Sequence, residues 1–472
     1  MKPAKPVKKV AHALLLLAAG LAGGCQADAD RDPQEYRKVL DASVAPADDP
    51  PADQPLTLER AMAVASRRDE FLARSGEDYV QALLQKNRIV ATFLPTLSFA
   101  PSYTIGDRPP GGTALPNSGL SGAYVVHGDT LSKLEAPLVG SVNLFNGFGD
   151  VANLHSIEAI IAQRHELLLD LQSTVLLNVA QAFYAVLRSE RQVEVLARAL
   201  ATEEARLADV EARLEHGLAT KLAVAQTRAQ VDQTRVVLLV AQSDVKNGRT
   251  TLARVVGLPS IPQPLEDSLA VPESVAPEPE LEQAALDHRR DLTAARSAIE
   301  AARHGVDAAV SQYYPSITLD VNAFLFRESY SDASRWNALL SANLPIFTAG
   351  RIKAEVRIAW SLLRQAALDE SALRRFVLHD VATAWENLDA SRRRITALED
   401  AVAAATEALD RANDAFSLGL AVNLDVLAAQ DALRQAELAL AGARFDRSVF
   451  YLDLRRAIGD LPAREDPALT AR

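Results

Sequence analysis

The chain has very little cysteine and methionine. Cys25 is the only cysteine among the 472 residues, so no disulfide can form within the chain. Met1 and Met62 are the only methionines and give no support to methionine-based copper handling. The eight histidines are scattered, with no two at the helical spacing of three or four that suits a metal site, and no phosphate-binding loop is present. The sequence therefore predicts neither an enzyme nor a cofactor or metal site.

Charge and hydropathy exclude two further classes of protein. The net charge is −11 and the basic residues form no cluster, whereas contacts to nucleic-acid phosphates need grouped Lys and Arg. After residue 25 no apolar run approaches the roughly 20 residues of a membrane-spanning helix. Any passage through a membrane must therefore use β-strands, because only helices and closed sheets satisfy the backbone in lipid.

The N-terminus has the pattern of a secretory signal peptide, predicted at 1–24. Lysines precede an apolar run at 10–22, and the small residues of LAGGC follow. Cys25 is predicted to carry the lipid anchor of a bacterial lipoprotein. The alternative is ordinary cleavage near residues 27–29, with loss of this cysteine. The segment 25–55 comprises the anchor and a Pro/Asp-rich lead-in.

The rest of the sequence contains the same order of elements twice. In each half a helix ends at a proline, two strands of alternating polarity follow, and a long helical hairpin comes last. From Phe145 onward the halves align without a gap at an offset of 202. The predicted units are a first repeat at 56–258, a Pro-rich connector at 259–280, a second repeat at 281–462 and a tail at 463–472.

Two strands are predicted in each repeat, at about 96–105 and 132–145 and at about 316–327 and 335–346. Before the first strand, the sequence predicts one helix of roughly 35 residues that Pro95 ends. Four strands are too few to close, since the smallest membrane barrels have about eight. Several chains must therefore pool their strands, and three copies would supply twelve.

A glycine in the middle of each long helical region predicts a hairpin. The hairpins are predicted at about 149–257 and 350–457, with tips at Gly217 and Gly419, because glycine adopts the left-handed conformation that ends a helix at low cost. Apolar residues follow a seven-residue repeat, with Glu203 as the one interruption in the first half, so the two arms should pack as a coiled coil. Each arm would be on the order of 100 Å long if fully helical, and would therefore project.

Eight segments in order carry a resemblance to a known family: LTLERAMAVA, FLPTLSFAPSY, VNLFNGFGD, RLEHGLATKLAVAQT, YYPSITLDV, NLPIFTAGR, AFSLGLAVNLDVLAAQ and AIGDLP. Over roughly residues 56–462 the chain resembles TolC-like outer-membrane efflux proteins. The resemblance implies a mainly α fold with a β-barrel part, in which duplicated helix–strand–strand–hairpin units form a homotrimer. The homotrimer would comprise a twelve-stranded outer-membrane barrel and an α-helical periplasmic barrel.

The resemblance implies export of small molecules, either drugs or metal ions, across the periplasm and the outer membrane. The implied partners are a periplasmic adaptor and an inner-membrane pump of the resistance-nodulation-division type, with outer-membrane lipid around the barrel. Adaptor docking is expected at the hairpin tips, which carry Gly217, Leu218, Gly419 and Leu420.

The same resemblance places a periplasmic aperture at Leu424 and Asp425. The family often has Asp-Val-Leu-Asp at this point, whereas here Ala428 takes the last place. Ala223 stands in the first half where the second half has Asp425, which leaves one acid per chain at this level. The alternative role of Asp425 is that of a helix-start acid favoured by the helix dipole.

Two other functions remain open from the sequence. One is an outer-membrane conduit for type I protein secretion. The other, of a different class, is a periplasmic coiled-coil lipoprotein that only braces the envelope and forms no pore.

Overall fold

The chain folds mainly into long helices. The computed structural model describes residues 31–44, 51, 54–107, 125–127, 130–327 and 334–462, so the predicted signal peptide and Cys25 lie outside the described residues. The helices are α1 (Asp32–Ser43), α2 (Leu58–Arg68), α3 (Glu70–Ala91), α4 (Gly149–Glu215), α5 (Lys221–Val256), α6 (Glu278–His288), α7 (Arg290–Ser311), α8 (Arg351–Ser417) and α9 (Asn423–Ala457). None of the helices described here is both long and apolar enough to cross a membrane.

One antiparallel sheet carries most of the strands. The strands are β1 (Leu56–Thr57), β2 (Thr96–Phe99), β3 (Ser102–Asp107), β4 (Val125–His127), β5 (Thr130–Asn146), β6 (Leu265–Glu266), β7 (Ser316–Arg327) and β8 (Trp336–Asn343). Strands β2, β5, β7 and β8 lie side by side in that order, and β3 and β4 also pair with β5. The long contact between β5 and β7 therefore joins the two halves of the chain.

The helix predicted before Pro95 is in fact two helices. They meet at Asp69, whose backbone is extended and whose carboxylate accepts a hydrogen bond from the backbone N–H of Leu72 at 2.8 Å. The side chain thus satisfies one of the unpaired N–H groups of the new helix, which makes Asp69 a strong N-cap. A local preference for capping explains the break inside an otherwise continuous helical pattern.

The first predicted strand is also divided. Thr96–Phe99 and Ser102–Asp107 both pair with β5, and they are separated at Ala100 and Pro101. Proline has no N–H to donate to the ladder, so the strand is interrupted there.

Four further elements, α1, β1, β4 and β6, were not predicted from the sequence. Helix α1 lies where only a lead-in was predicted, and Tyr36 on this helix packs so closely on Gly76 that a Cβ at position 76 would lie 2.3 Å from its ring. The connector contributes β6, which pairs in parallel with β1 through Leu56 and Leu265. The second half begins with α6 at Glu278, slightly before the predicted boundary.

The long helices pack as two hairpins, α4 against α5 and α8 against α9, and α9 also packs on α4. The seam positions Leu196 and Val210 are buried. Glu203 interrupts this seam and is nevertheless only 2% exposed. Burial raises the pKa of its carboxyl, partly offset by a hydrogen bond from Gln230. The coiled-coil seam therefore buries one ionisable group where the repeat predicts an apolar residue.

A buried arginine joins the helices of the second half. Arg289 lies between α6 and α7, is 2% exposed, and donates from Nε and Nη2 to both carboxylate oxygens of Asp291. Its Nη1 donates to Asp380 of α8 and to the carbonyl of Ala457 in α9. These bonds raise the pKa of the guanidinium although burial opposes this. One side chain thus connects four helices.

We expect Arg289→Ala to lower the free energy of unfolding by about 2–4 kcal/mol, because it leaves the partly buried carboxylates of Asp291 and Asp380 without this partner. Arg303→Ala is the matched control in α7, since Arg303 forms only an exposed pair with Glu300 and should change stability by less than about 1 kcal/mol. Thermal unfolding in detergent, followed by far-ultraviolet circular dichroism, measures the difference. Equal shifts of the unfolding temperature in the two variants would contradict the proposed structural role of Arg289.

Candidate docking and aperture site at the hairpin tips

Both hairpins turn at a glycine with a left-handed backbone. Gly217 has φ 70° and Gly419 has φ 72°. The backbone N–H of Leu218 donates to the carbonyl of Arg213 at 2.7 Å, and that of Leu420 donates to Ala415 at 2.8 Å. These bonds close the last turn of α4 and α8, which is the usual role of a glycine after a helix end.

The tips present apolar side chains to the surroundings. Leu218 and Leu420, which follow the two glycines, are 76% and 79% exposed. Leu418 and Leu222 beside them are also exposed. Exposed leucines grouped at the end of a projecting hairpin are typical of a surface that contacts another protein.

The two returning helices are capped in different ways. In the first hairpin the hydroxyl of Thr220 accepts from the backbone N–H of Ala223 at 3.1 Å. In the second, Val422 takes the place of the threonine, and the carboxylate of Asp425 accepts from the backbone N–H of Val422 at 2.9 Å. The presence of an acid in one hairpin alone therefore follows from the identity of the residue three positions earlier.

Leu424 and Asp425, the predicted aperture residues, lie in the first turn of α9 and are both exposed. Asp425 has the helix-start role that the sequence offered as an alternative. Its carboxylate remains at the surface, beside the exposed Leu424.

A polar cluster behind the tips joins the two hairpins. Arg206 of α4 donates to the side-chain oxygen of Asn423 from Nη2 at 3.2 Å, and to that of Asn413 at 3.2 Å. The side-chain amide of Asn423 donates to the hydroxyl of Thr227 in α5 at 2.9 Å. Arg206 also stacks over Phe416, 4.3 Å from the ring centroid. Burial lowers the pKa of the guanidinium, so it sits in a partly dry site.

The sequence analysis missed this cluster because its members come from four helices. Asn423 and Thr227 are buried although both side chains are polar. Polar residues on the inner face of a coiled coil were the sequence feature that could have indicated this cluster. Of these residues, only Glu203 was identified from the sequence. No three His, Cys, Asp or Glu side chains within the described ranges group in a way that would hold a metal ion.

Gly419→Ala tests the left-handed tip. The added Cβ meets nothing within 4 Å, so the cost comes from the positive φ alone and is about 1–2 kcal/mol. Hydrogen exchange at the amide of Leu420 should become about 5- to 30-fold faster, as that cost implies. Gly305→Ala is the matched control, because Gly305 also has open space around it but a helical backbone. Amide hydrogen exchange at the tip around Gly217 should be unchanged. An unaltered exchange rate at Leu420 would contradict the left-handed conformation assigned to Gly419.

Comparison with known proteins gives a consistent result. The family model described as outer membrane efflux protein matches residues 80–258 and 281–460. Outer membrane efflux protein BepC of Brucella suis is 31% identical over 327 residues, which cover 68% of this chain and 71% of BepC. Outer membrane protein TolC of Vibrio cholerae is 28% identical over 62% of this chain and 69% of that protein.

A solved structure of CusC superposes with a TM-score of 0.75 at 22% identity, covering 85% of this chain and 92% of CusC, and so shares the fold. The two matched segments end at the helix ends after each hairpin and include both tips. The chain belongs to the outer membrane efflux protein family.

Proposed function

We propose that this outer-membrane efflux protein acts as a passive trimeric conduit, in which three chains pool their sheets in the membrane and their hairpins in the periplasm. Family membership supplies the outer-membrane location and the efflux role. The trimer, the closed twelve-stranded barrel and the duplicated units are inferences from the geometry of one chain.

The observation that carries the proposal is the polarity of the two faces of the sheet. Directly opposed residues share a face. Across β2, β5, β7 and β8, one face contains mainly polar rows, and the other contains apolar rows only. The polar rows are Thr96–Ser141–Asp320–Leu339, Asn143–Thr318–Ser341 and Ser98–Val139–Asn322–Asn337. The apolar rows are Leu97–Gly140–Val321–Ala338, Val142–Leu319–Leu340 and Phe99–Leu138–Ala323–Trp336.

Side-chain hydrogen bonds connect strands across the polar face. The hydroxyl of Ser141 donates to the carboxylate of Asp320 at 2.6 Å, and the amide of Asn322 donates to Asn337 at 3.0 Å. On the apolar face Leu97 and Leu340 are largely exposed. A polar inner face and an apolar outer face are what a membrane barrel needs around an aqueous lumen.

The sheet of one chain leaves two edges without partners, at β2 and β8, among the strands that the structure describes. Such an edge cannot face lipid, because its N–H and C=O groups would have no partners. Helix α8 also exposes large apolar side chains, among them Ile358, Trp360 and Phe376. Other copies of the chain would pair the edges and cover this helical face together.

The exposed leucines at the tips support adaptor docking through Gly217, Leu218, Gly419 and Leu420. We infer a periplasmic adaptor and an inner-membrane pump of the resistance-nodulation-division type as partners, and drugs or metal ions as cargo. Lipidation of Cys25 would add an anchor. A type I secretion conduit is the second candidate and would use the same tips. A sheet with one polar and one apolar face argues against a coiled-coil lipoprotein that only braces the envelope.

Neighbouring substitutions in β7 test the barrel. Val321→Lys places a charge on the apolar face and should oppose insertion by about 2–4 kcal/mol near the bilayer midplane. Asn322→Lys places the same charge on the polar face and should be tolerated. The measurement is the amount of detergent-resistant trimer in purified outer membranes. Loss of trimer in both variants, or in neither, would contradict the proposed faces.

Substitutions at the aperture test the gate. Asp425→Asn keeps an acceptor for the N–H of Val422 but removes the charge, so it should weaken cation preference and divalent-cation block in single-channel recordings. Leu424→Ala should mainly raise the leak of the resting channel. Unchanged selectivity and block in Asp425→Asn, with normal trimer insertion, would leave Asp425 with its capping role alone.

A further inference from the structure

Two histidines that lie far apart in the sequence meet below the sheet. His155 is in the second turn of α4 and His304 is near the end of α7. Their ring centroids are 5.2 Å apart, with an angle of 61° between the ring planes. The separation of 149 positions in the chain explains why helical spacing could not reveal the pair.

The fold fixes this meeting through the sheet above it. Strand β5 leads into α4, and α7 leads into β7, and these two strands pair along most of their length. The hydroxyl of Ser156, next to His155, donates to the carbonyl of Ala301 at 3.0 Å and so sets the register of α4 against α7. The two rings are thus held by rigid helices on both sides.

The surroundings orient one of the rings. The carboxylate of Asp307 lies 3.4 Å from Nδ1 of His304. A carboxylate at one ring nitrogen favours the tautomer in which the other nitrogen, Nε2, is free to bind an ion. Both rings and Asp307 line a cavity of about 300 Å³, together with Ser311 and Tyr314. The space is therefore large enough for an ion with bound water.

The nearby charges do not oppose a cation. Glu158 lies one turn after His155 and forms an ion pair with Lys86 at 2.8 Å, so the lysine is neutralised. The hydrogen bond from Lys86 is the main cause that lowers the pKa of Glu158, and His155 contributes less. The carboxylate of Asp307 adds a negative charge beside His304, which favours a cation.

We propose that His155 and His304 bind one divalent transition-metal ion of the Zn²⁺, Cu²⁺ or Ni²⁺ class, with Asp307 as a positioning residue. Imidazole nitrogen is a preferred ligand of these ions. Metal–nitrogen bonds of about 2.0–2.1 Å at a tetrahedral angle put two ring centroids about 5 Å apart, which agrees with the pair. Since no third protein ligand is grouped with them among the residues that the structure describes, water would complete the coordination.

Zinc titration of the purified full chain, free of any polyhistidine tag, tests the site by calorimetry. We expect one ion per chain at micromolar affinity. His155→Ala and His304→Ala should each abolish this binding. Asp307→Asn should weaken it about 10-fold, as loss of an orienting partner does. His379→Ala, a change at an exposed histidine in α8, is the matched control and should bind normally.

Cu²⁺ electron paramagnetic resonance supplies an independent readout. The spectrum should show two coordinated nitrogens in the native chain, and this two-nitrogen signal should be absent from each single-histidine variant. Zinc binding that persists after both His155 and His304 are replaced by alanine would overturn the site. An absence of binding at micromolar zinc would overturn it too. Native affinity in Asp307→Asn would overturn the role of Asp307. These outcomes do not depend on whether the protein acts as a conduit, because trimer formation and channel activity are measured separately.

Discussion

Every backbone N–H and C=O group in an apolar medium needs a hydrogen-bonding partner, and the architecture of this chain follows from that requirement. Its long helices satisfy the requirement internally, over 67 residues in both α4 and α8. Its sheet satisfies the requirement only on the inner sides of β2 and β8. The outer edges of these two strands have no partner strand among the residues that the structure describes. One face of that sheet is apolar in every row across β2, β5, β7 and β8, and in lipid the open edges would lack the partners that one chain cannot supply. The proposed association of chains therefore rests on the backbone of the sheet rather than on a few side chains.

The corners between sheet and hairpin show how the two parts are joined. Gly147 and Phe148 have φ of 65° each, and Ala349 and Gly350, 202 positions later, have φ of 50° and 84°. Two consecutive left-handed residues thus precede each long helix, with glycine at only one of the two. The non-glycine residue at each corner costs about 1–2 kcal/mol. That the same strained geometry occurs at both corners indicates that it sets the direction in which each hairpin leaves the sheet.

Local features could be predicted from the sequence, and non-local ones could not. The tips at Gly217 and Gly419 were predictable because a helix end depends on neighbouring residues. The break at Asp69 was missed because a capping carboxylate and an ordinary surface acid look alike in a helical pattern. The contacts of Arg206 with Asn423 and of His155 with His304 join helices distant in the chain, so no spacing rule could find them. The position of the aperture residues relative to a lumen depends on other chains and stays a prediction.

The capping role of Asp425 and its proposed role at the aperture are compatible. A carboxylate has two oxygens and about four acceptor sites, and the bond from Val422 uses one of them. The cap also fixes the side chain at the start of α9, where a negative charge lies favourably beside the positive end of the helix dipole. Thr220 performs the same capping without a charge, so helix termination alone does not require an acid at this level. Capping by aspartate therefore leaves a charge at this tip that capping by threonine would not, and the proposed aperture would place that charge beside the ion pathway.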